Sequence, residues 1–256
     1  MNRVAINAVK IAGSAAIDLF LPRRCLVCGA LAVQWRAPLC PRCQTELETL
    51  KIPGEAKNRL RGVLSVEDGI DAVFGVYSYL DHPVIRGVVH AMKYRGGQSL
   101  CERMGRRIGI ERRNAGAVNP VDCLIPVPIH SARLRERRYN QSTLLARGLA
   151  MELEVPVSEN SIQRKRKTMP QTFLDSQQRL ENIAGAFVIR RKLDEGLRVG
   201  LVDDVVTTGA TVSSCARILK EAGAESVTVF CLAVAQTEHL LPPVERTLVD
   251  VAGRIL

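Results

Sequence analysis

Aromatic side chains are scarce in this chain: 256 residues carry five Phe, four Tyr and one Trp. The core must therefore rely on Val, Leu, Ile and Ala. So few rings also argue mildly against a platform for stacking the bases of a single nucleic-acid strand. Long apolar runs are missing too. Residues 1 to 21 are mildly apolar but are broken by Asn7, Lys10 and Asp18. They hold no uninterrupted signal-peptide core ending in a cleavage-like site, and they are too short and too polar to span a bilayer. An amphipathic helix packed on the rest of the protein is expected there, and no later segment qualifies as transmembrane. Acidic residues are outnumbered, 26 against 36 Lys and Arg, for a net charge of +10. That balance favours anionic partners such as nucleotides, pyrophosphate, nucleic acid or a membrane surface. A basic, well-solvated surface around a small phosphorylated ligand has the same signature.

What is present is enough for a globular protein. With 46% hydrophobic residues the chain can hold one good core and a small appendage. The eight cysteines fall into two groups. Cys101, Cys123, Cys215 and Cys231 are scattered through apolar or helical surroundings and read as small core residues in a reducing, cytoplasmic setting. Cys25-Leu-Val-Cys28 and Cys40-Pro-Arg-Cys43 form two Cys-x-x-Cys pairs separated by eleven residues. Two such knuckles make a closed four-sulfur tetrahedron, the preference of structural Zn²⁺, with no ligand position left for catalysis. Two disulfides or four free thiols are the alternatives. A segment this small has little core of its own, so a metal is expected to supply its folding energy. Arg23, Arg24, Trp35, Arg36 and Arg42 around it permit nucleic-acid contact without requiring it.

The most informative stretch is Val199 to Thr211. An apolar run, Val199 to Val202, has the length and branching of a buried strand and ends at two adjacent carboxylates, Asp203 and Asp204. A small-residue loop with three hydroxyls follows, and then a helix over Val212 to Ala222, stopped by Gly223. This order puts a loop and a helix N-terminus at the carboxyl end of a strand, where free N–H groups and the helix dipole favour a phosphate. The carboxylates fit a ligand that also carries hydroxyls, such as a ribose diol, or a Mg²⁺ ion. An ordinary strand–turn–helix with a capping side chain is the bland alternative.

Other elements alternate in type. Asp71 to Leu80 reads as a strand, Pro83 to Met92 and Ser99 to Arg113 as helices, and Val121 to Ile129 as a buried strand with prolines at its end. Arg133, Arg135, Arg137 and Arg138 then cluster ahead of a helix from Ser142 to Glu152. Like charges at a helix start oppose the dipole, and an anion such as pyrophosphate would offset that cost. Ile162 to Phe187 carries a basic run, a Pro-Gln pair and a polar helix, which suggests a surface flap able to shield a reacting centre from water. A basic surface loop is the alternative. Ser226 to Ala233 is a further strand. Strands alternating with helices mean a parallel sheet with helical cover.

The segment from Asp203 to Thr211 resembles the phosphoribosyl pyrophosphate (PRPP) motif of type I phosphoribosyltransferases. The chain as a whole resembles the ComF family, which includes GntX-like and competence-associated proteins. The residues carrying that resemblance are Cys25, Cys28, Cys40 and Cys43; His90 to Gly96; Pro126 to His130 with Arg133; Arg137 to Gln141; Arg166 to Thr168 with Gln171, Leu174, Arg179 and Asn182; and Asp203 to Thr211. Where the family usually has Arg-Gly-Phe-Asn-Gln, this chain has Arg137-Arg138-Tyr139-Asn140-Gln141. The stretch 164 to 182 also resembles the flexible loop of amidophosphoribosyltransferases.

The resemblance implies an α/β protein with the type I phosphoribosyltransferase fold, a parallel sheet flanked by helices, and a small N-terminal zinc ribbon. It divides the chain into a helix and four-cysteine ribbon over 1–55, a phosphoribosyltransferase-like domain over 70–240 and a tail over 241–256. It implies that Asp203 and Asp204 hold the ribose 2′- and 3′-hydroxyls. Val206, Thr207, Thr208, Gly209, Ala210 and Thr211 would cradle the 5′-phosphate. Arg133 and Arg137, helped by Lys93, would meet the pyrophosphate, and Arg166, Thr168 and Gln171 would lie on the flap. Mg²⁺ would accompany PRPP, and the family is linked to DNA uptake or to use of DNA as a nutrient. Two activities remain open: phosphoribosyl transfer to a nitrogenous acceptor, or non-catalytic sensing of PRPP or a nucleotide. In the second, the ribbon and arginine clusters would hold single-stranded DNA or a protein of the uptake machinery.

Overall fold

The computed structural model describes residues 24–31, 37–50, 69–116, 120–165 and 185–235. The expectations for the N-terminal helix, for most of the flap and for the tail lie outside them.

In chain order the elements are α1 (Pro41–Thr49), β1 (Ala72–Ser78), α2 (Pro83–Tyr94), α3 (Gln98–Asn114), β2 (Cys123–Pro126), α4 (Ser131–Arg137), α5 (Gln141–Leu153), β3 (Ile162–Arg164), β4 (Phe187–Ile189), β5 (Arg198–Val206), α6 (Ala210–Glu221) and β6 (Ser226–Val234). Four strands form one sheet in the order β1-β6-β5-β2, with every pairing parallel. Parallel sheets need both faces covered, and this one is. Side chains alternate along each strand. Leu124, Val202, Phe230 and Leu232 face a core shared with α2, α3 and α5. Ile125, Leu201, Val229 and Cys231 face a second core shared with α6 and with the small antiparallel pair β3–β4. The four scattered cysteines are all buried, as their apolar neighbours required. Among the described residues, no helix is long and apolar enough to cross a membrane.

Two differences from the sequence expectation bear on the site. Strand β5 does not stop at Val202 but runs through both aspartates to Val206, because β6 continues beside it and pairs Asp203 with Cys231 and Val206 with Val234. The arginine cluster is not the start of the following helix. It forms its own short helix, α4, capped by His130, whose Nδ1 accepts the Ala132 N–H at 3.1 Å. Arg138 closes that helix in the left-handed conformation, with φ of +66°.

The tightest packing lies between α3 and α5. A Cβ on Gly105 would sit 2.0 Å from the Leu145 carbonyl oxygen, and one on Gly148 would sit 2.0 Å from that of Glu102. The two glycines let the helix backbones touch. Glu152 on α5 then clamps the crossing, accepting from Arg106 at 2.9 Å and pairing with Arg113 at 2.6 Å. That contact fixes α5, and the N-terminal end of α5 reaches the sheet beside Asp203.

Candidate functional site

The carboxyl ends of β5 and β2 open onto a cleft of about 390 Å³. Ligands of open parallel sheets bind at such strand ends. Its lining brings together Lys93, Arg133, Arg137, Asp203, Asp204 and the whole loop from Val206 to Thr211. Arg166, Thr168 and Gln171 lie outside the described residues.

Asp203 is the most constrained group. Its Oδ1 accepts from the Ser142 hydroxyl at 3.0 Å and from the backbone N–H of Asp204 at 2.8 Å. Burial and then the adjacent Asp204 charge push its carboxyl up to about 7, and Lys93 and the two hydrogen bonds only partly offset this. Asp204 is 4% exposed, and its Oδ2 lies 2.7 Å from the Lys93 ammonium. Burial disfavours the charge on Lys93, but Asp204 and then Asp203 hold that ammonium above its ordinary value. Two neighbouring acidic groups thus coexist at the strand end because Lys93 pairs with the charge of one while the other holds its proton unusually tightly.

Beyond the acidic pair, Gly209 adopts φ of +79°, a conformation that suits glycine, and starts α6 with no side-chain cap. The first N–H groups of that helix have no partner within the helix, and the residues bearing them line the cleft. This is the arrangement of donors and dipole that accommodates a phosphate group.

On the far wall, Arg137 is 9% exposed. It donates to Gln141 Oε1 at 3.1 Å and to the Tyr94 hydroxyl at 3.0 Å, and its guanidinium stacks 4.9 Å from the Tyr94 ring centroid. Its Nε is buried with no hydrogen-bond partner among the described residues. Arg133 is exposed at the mouth. Arg164, at the end of β3, lines the same cleft and stacks on Phe187. Sequence reasoning did not single out Ser142, Gln141 or Arg164 as site residues. Ser142 opens the helix after the arginine cluster, where the expected anion contact rested on the arginines alone, and Gln141 entered only as the end of the Arg137–Gln141 pattern. Arg138, at the position where the resemblance led to an expectation of glycine, takes a left-handed conformation that glycine favours.

The four N-terminal cysteines also converge. Their sulfurs lie within 4.8 Å of one another, with Cys28 and Cys40 at 3.6 Å. None of the eight cysteines is in a disulfide. Tetrahedral zinc with Zn–S bonds of about 2.3 Å needs its sulfurs roughly 3.8 Å apart, so a set already drawn within 4.8 Å can hold the ion after a modest contraction. The two pairs are built differently. Cys25 and Cys28 sit in a turn closed by the Arg24–Leu31 bridge, while Cys40 and Cys43 sit at the start of α1. Cys25, Cys40 and Cys43 are buried in the same core as Val84, Ile85 and Val88 of α2, so the cluster is packed onto the larger domain.

Residues 140–248 match the phosphoribosyl transferase domain family. The DNA utilization protein YhgH of Salmonella typhimurium is 32% identical over 216 residues, covering 81% of this chain and 88% of that protein. Competence protein F of Haemophilus influenzae is 27% identical over 228 residues, covering 84% and 99%. Among solved structures, the glutamine PRPP amidotransferase of B. subtilis, complexed with ADP and GMP, aligns at 25% identity and a TM-score of 0.36. That alignment covers 52% of this chain and 26% of the amidotransferase.

Proposed function

The chain belongs to the ComF family, and we propose that its phosphoribosyltransferase-like domain binds Mg²⁺·PRPP and transfers the phosphoribosyl group to a nitrogenous acceptor. One observation carries this reading. An acidic pair with Asp204 buried, an uncapped helix start behind a hydroxyl-rich loop, and basic groups of which Arg137 is buried line a single cleft at the strand ends. A ribose 5-phosphate bearing pyrophosphate has those three chemistries in that combination.

In this reading the Thr207–Thr211 loop and the first turn of α6 hold the 5′-phosphate. Asp203 and Asp204 accept from the ribose hydroxyls, with Ser142 fixing the orientation of Asp203. Arg137 and Arg133 meet the pyrophosphate, and Lys93 stands between the acidic pair and that anion. Breaking the bond at C1 moves negative charge onto the leaving pyrophosphate. Arginines already in place stabilise that charge without having to reorganise. Mg²⁺, a hard cation that takes oxygen ligands, supplies further neutralisation of the pyrophosphate when bound. The names of the relatives support a role linked to competence or to use of DNA as a nutrient. A second reading, binding without transfer, uses the same cleft, and the net charge of +10 together with those names supports a nucleic-acid or uptake-machinery partner for it.

Calorimetric titration of the zinc-loaded protein with PRPP, with and without Mg²⁺, tests the site. The expected result is magnesium-dependent binding that is lost on changing Asp203 and Asp204 together to Asn. Undiminished binding by that double variant sinks the assignment. Pyrophosphate release with a panel of nitrogenous acceptors separates transfer from binding alone.

A further inference from the structure

The last turn of α2 and its C-cap join three separate parts of the molecule through four consecutive residues. The Met92 carbonyl accepts from the Tyr139 hydroxyl at 2.6 Å. Lys93 pairs with Asp204 at 2.7 Å. Tyr94 holds Arg137 through its hydroxyl and its ring. Arg95 points the other way: its Nη1 donates to the Leu26 carbonyl at 2.8 Å and lies 3.5 Å from that of Val27, both between Cys25 and Cys28. Val27 seats this knuckle on the same helix, in a notch that only glycine leaves open. A Cβ on Gly87 would lie 2.7 Å from Val27 Cγ1.

We propose that Arg95 is a positioning residue that couples the four-cysteine knuckle to the cleft, so that the metal-organised knuckle sets where Lys93 and Arg137 stand. The reasoning is geometric. Leu26 and Val27 can present both carbonyls to one guanidinium only while the Cys25–Cys28 turn is held, and zinc is what would hold it. The Arg95 backbone N–H still bonds to the Ala91 carbonyl at 3.1 Å, so the residue is fixed to the end of the helix that carries Lys93 and Tyr94. One turn of helix is short and stiff, so a displacement at Arg95 reaches two residues back with little loss. The four-cysteine module is then a structural part of the ligand site, whatever else its surface meets. This role for Arg95 rests on the PRPP reading above for its functional half only.

The test uses full-length zinc-loaded protein and the variants Arg95→Ala and Arg95→Lys. Three quantities are measured: zinc content, hydrogen exchange of the peptide spanning 84–94, and the Kd for Mg²⁺·PRPP. Arg95→Ala is expected to keep its zinc, to lose protection in that peptide and to weaken PRPP binding by about three- to tenfold, with Arg95→Lys restoring part of both. Stripping zinc from the wild type should reproduce the exchange change. Retained zinc with unchanged exchange overturns the proposal, as does unchanged Kd in a protein whose wild type binds. Loss of zinc from Arg95→Ala also counts against it, because Arg95 would then belong to the stability of the metal site and not to a link from it. A wild type that does not bind PRPP refutes the functional reading, and the exchange comparison still decides whether knuckle and helix are coupled.

Discussion

Replacing Asp203 by Asn should stabilise the fold while destroying the site. The carboxyl is held at about 7 against an ordinary 3.8, so ionising it in the folded protein costs about 4 kcal/mol more than in the unfolded chain. The sign follows from the direction. A raised carboxyl binds its proton more tightly when folded, so its contribution is fully present below about 4, is lost as pH rises toward 7, and stays lost above. Asn carries no charge, and its amide oxygen can still accept from Ser142 and from the Asp204 N–H. Asp203 keeps some contact with solvent, and we take half the electrostatic cost as recoverable, about 2 kcal/mol. For a protein of this size that raises Tm by about 4–8 °C at pH 8. At pH 4.5, where folded Asp203 is neutral and only the unfolded carboxyl has begun to ionise, the gain should fall to roughly a quarter of that. Thermal melts of the two proteins at pH 4.5, 6 and 8 measure this directly. An Asn variant no more stable than wild type at pH 8, or equally stabilised at every pH, refutes the electrostatic account. Calorimetry on the same samples should show that Mg²⁺·PRPP binding is gone.

Three further outcomes follow from the packing and the backbone. Gly148→Val puts side-chain atoms against the Glu102 carbonyl, where even a Cβ would be 2.0 Å away, and should cost at least about 3 kcal/mol in denaturant unfolding. Arg138→Gly removes a side chain from a left-handed position and should gain about 0.5–1 kcal/mol by the same measurement, with the loop path unchanged. Removing zinc with a chelator should lower Tm, because Cys25, Cys40 and Cys43 share a core with α2. It should also make the four knuckle thiols reactive toward a thiol reagent, while the buried Cys101, Cys123, Cys215 and Cys231 stay protected.

The strand–loop–helix core of the site was legible because it is local. Asp203, Asp204 and the loop to Thr211 are consecutive, and their chemistry is set by residue type and order. The convergence of the four cysteines was legible because their paired spacing is one that a single metal ion would demand. Ser142 and Arg164 were not, because each reaches the cleft only through the fold. Ser142 depends on the Gly105–Gly148 crossing that sets α5 against the sheet, and Arg164 depends on β3 pairing with β4 across a long insertion. The left-handed Arg138 was hidden for a related reason, since an arginine gives no local sign of positive φ. The extension of β5 through both aspartates came from β6, a partner whose register the β5 sequence does not contain.

What the cleft residues have in common bears on why they are there. Most of this molecule obeys the rules that make folds stable: alternating strands, two covered sheet faces, glycine where backbones touch. Three departures from them meet in the cleft. Asp203 ionises against its surroundings. Arg137 buries an Nε with no partner among the described residues, and α6 begins with no side-chain cap. Each costs stability, and a protein under selection for the fold alone would lose such features first. Hydroxyls offered to the acidic pair, a phosphate at the start of α6 and a second anion against Arg137 would relieve all three costs at once. One ligand carrying all three groups accounts for the set, whereas separate structural explanations must be found for each departure if the cleft binds nothing.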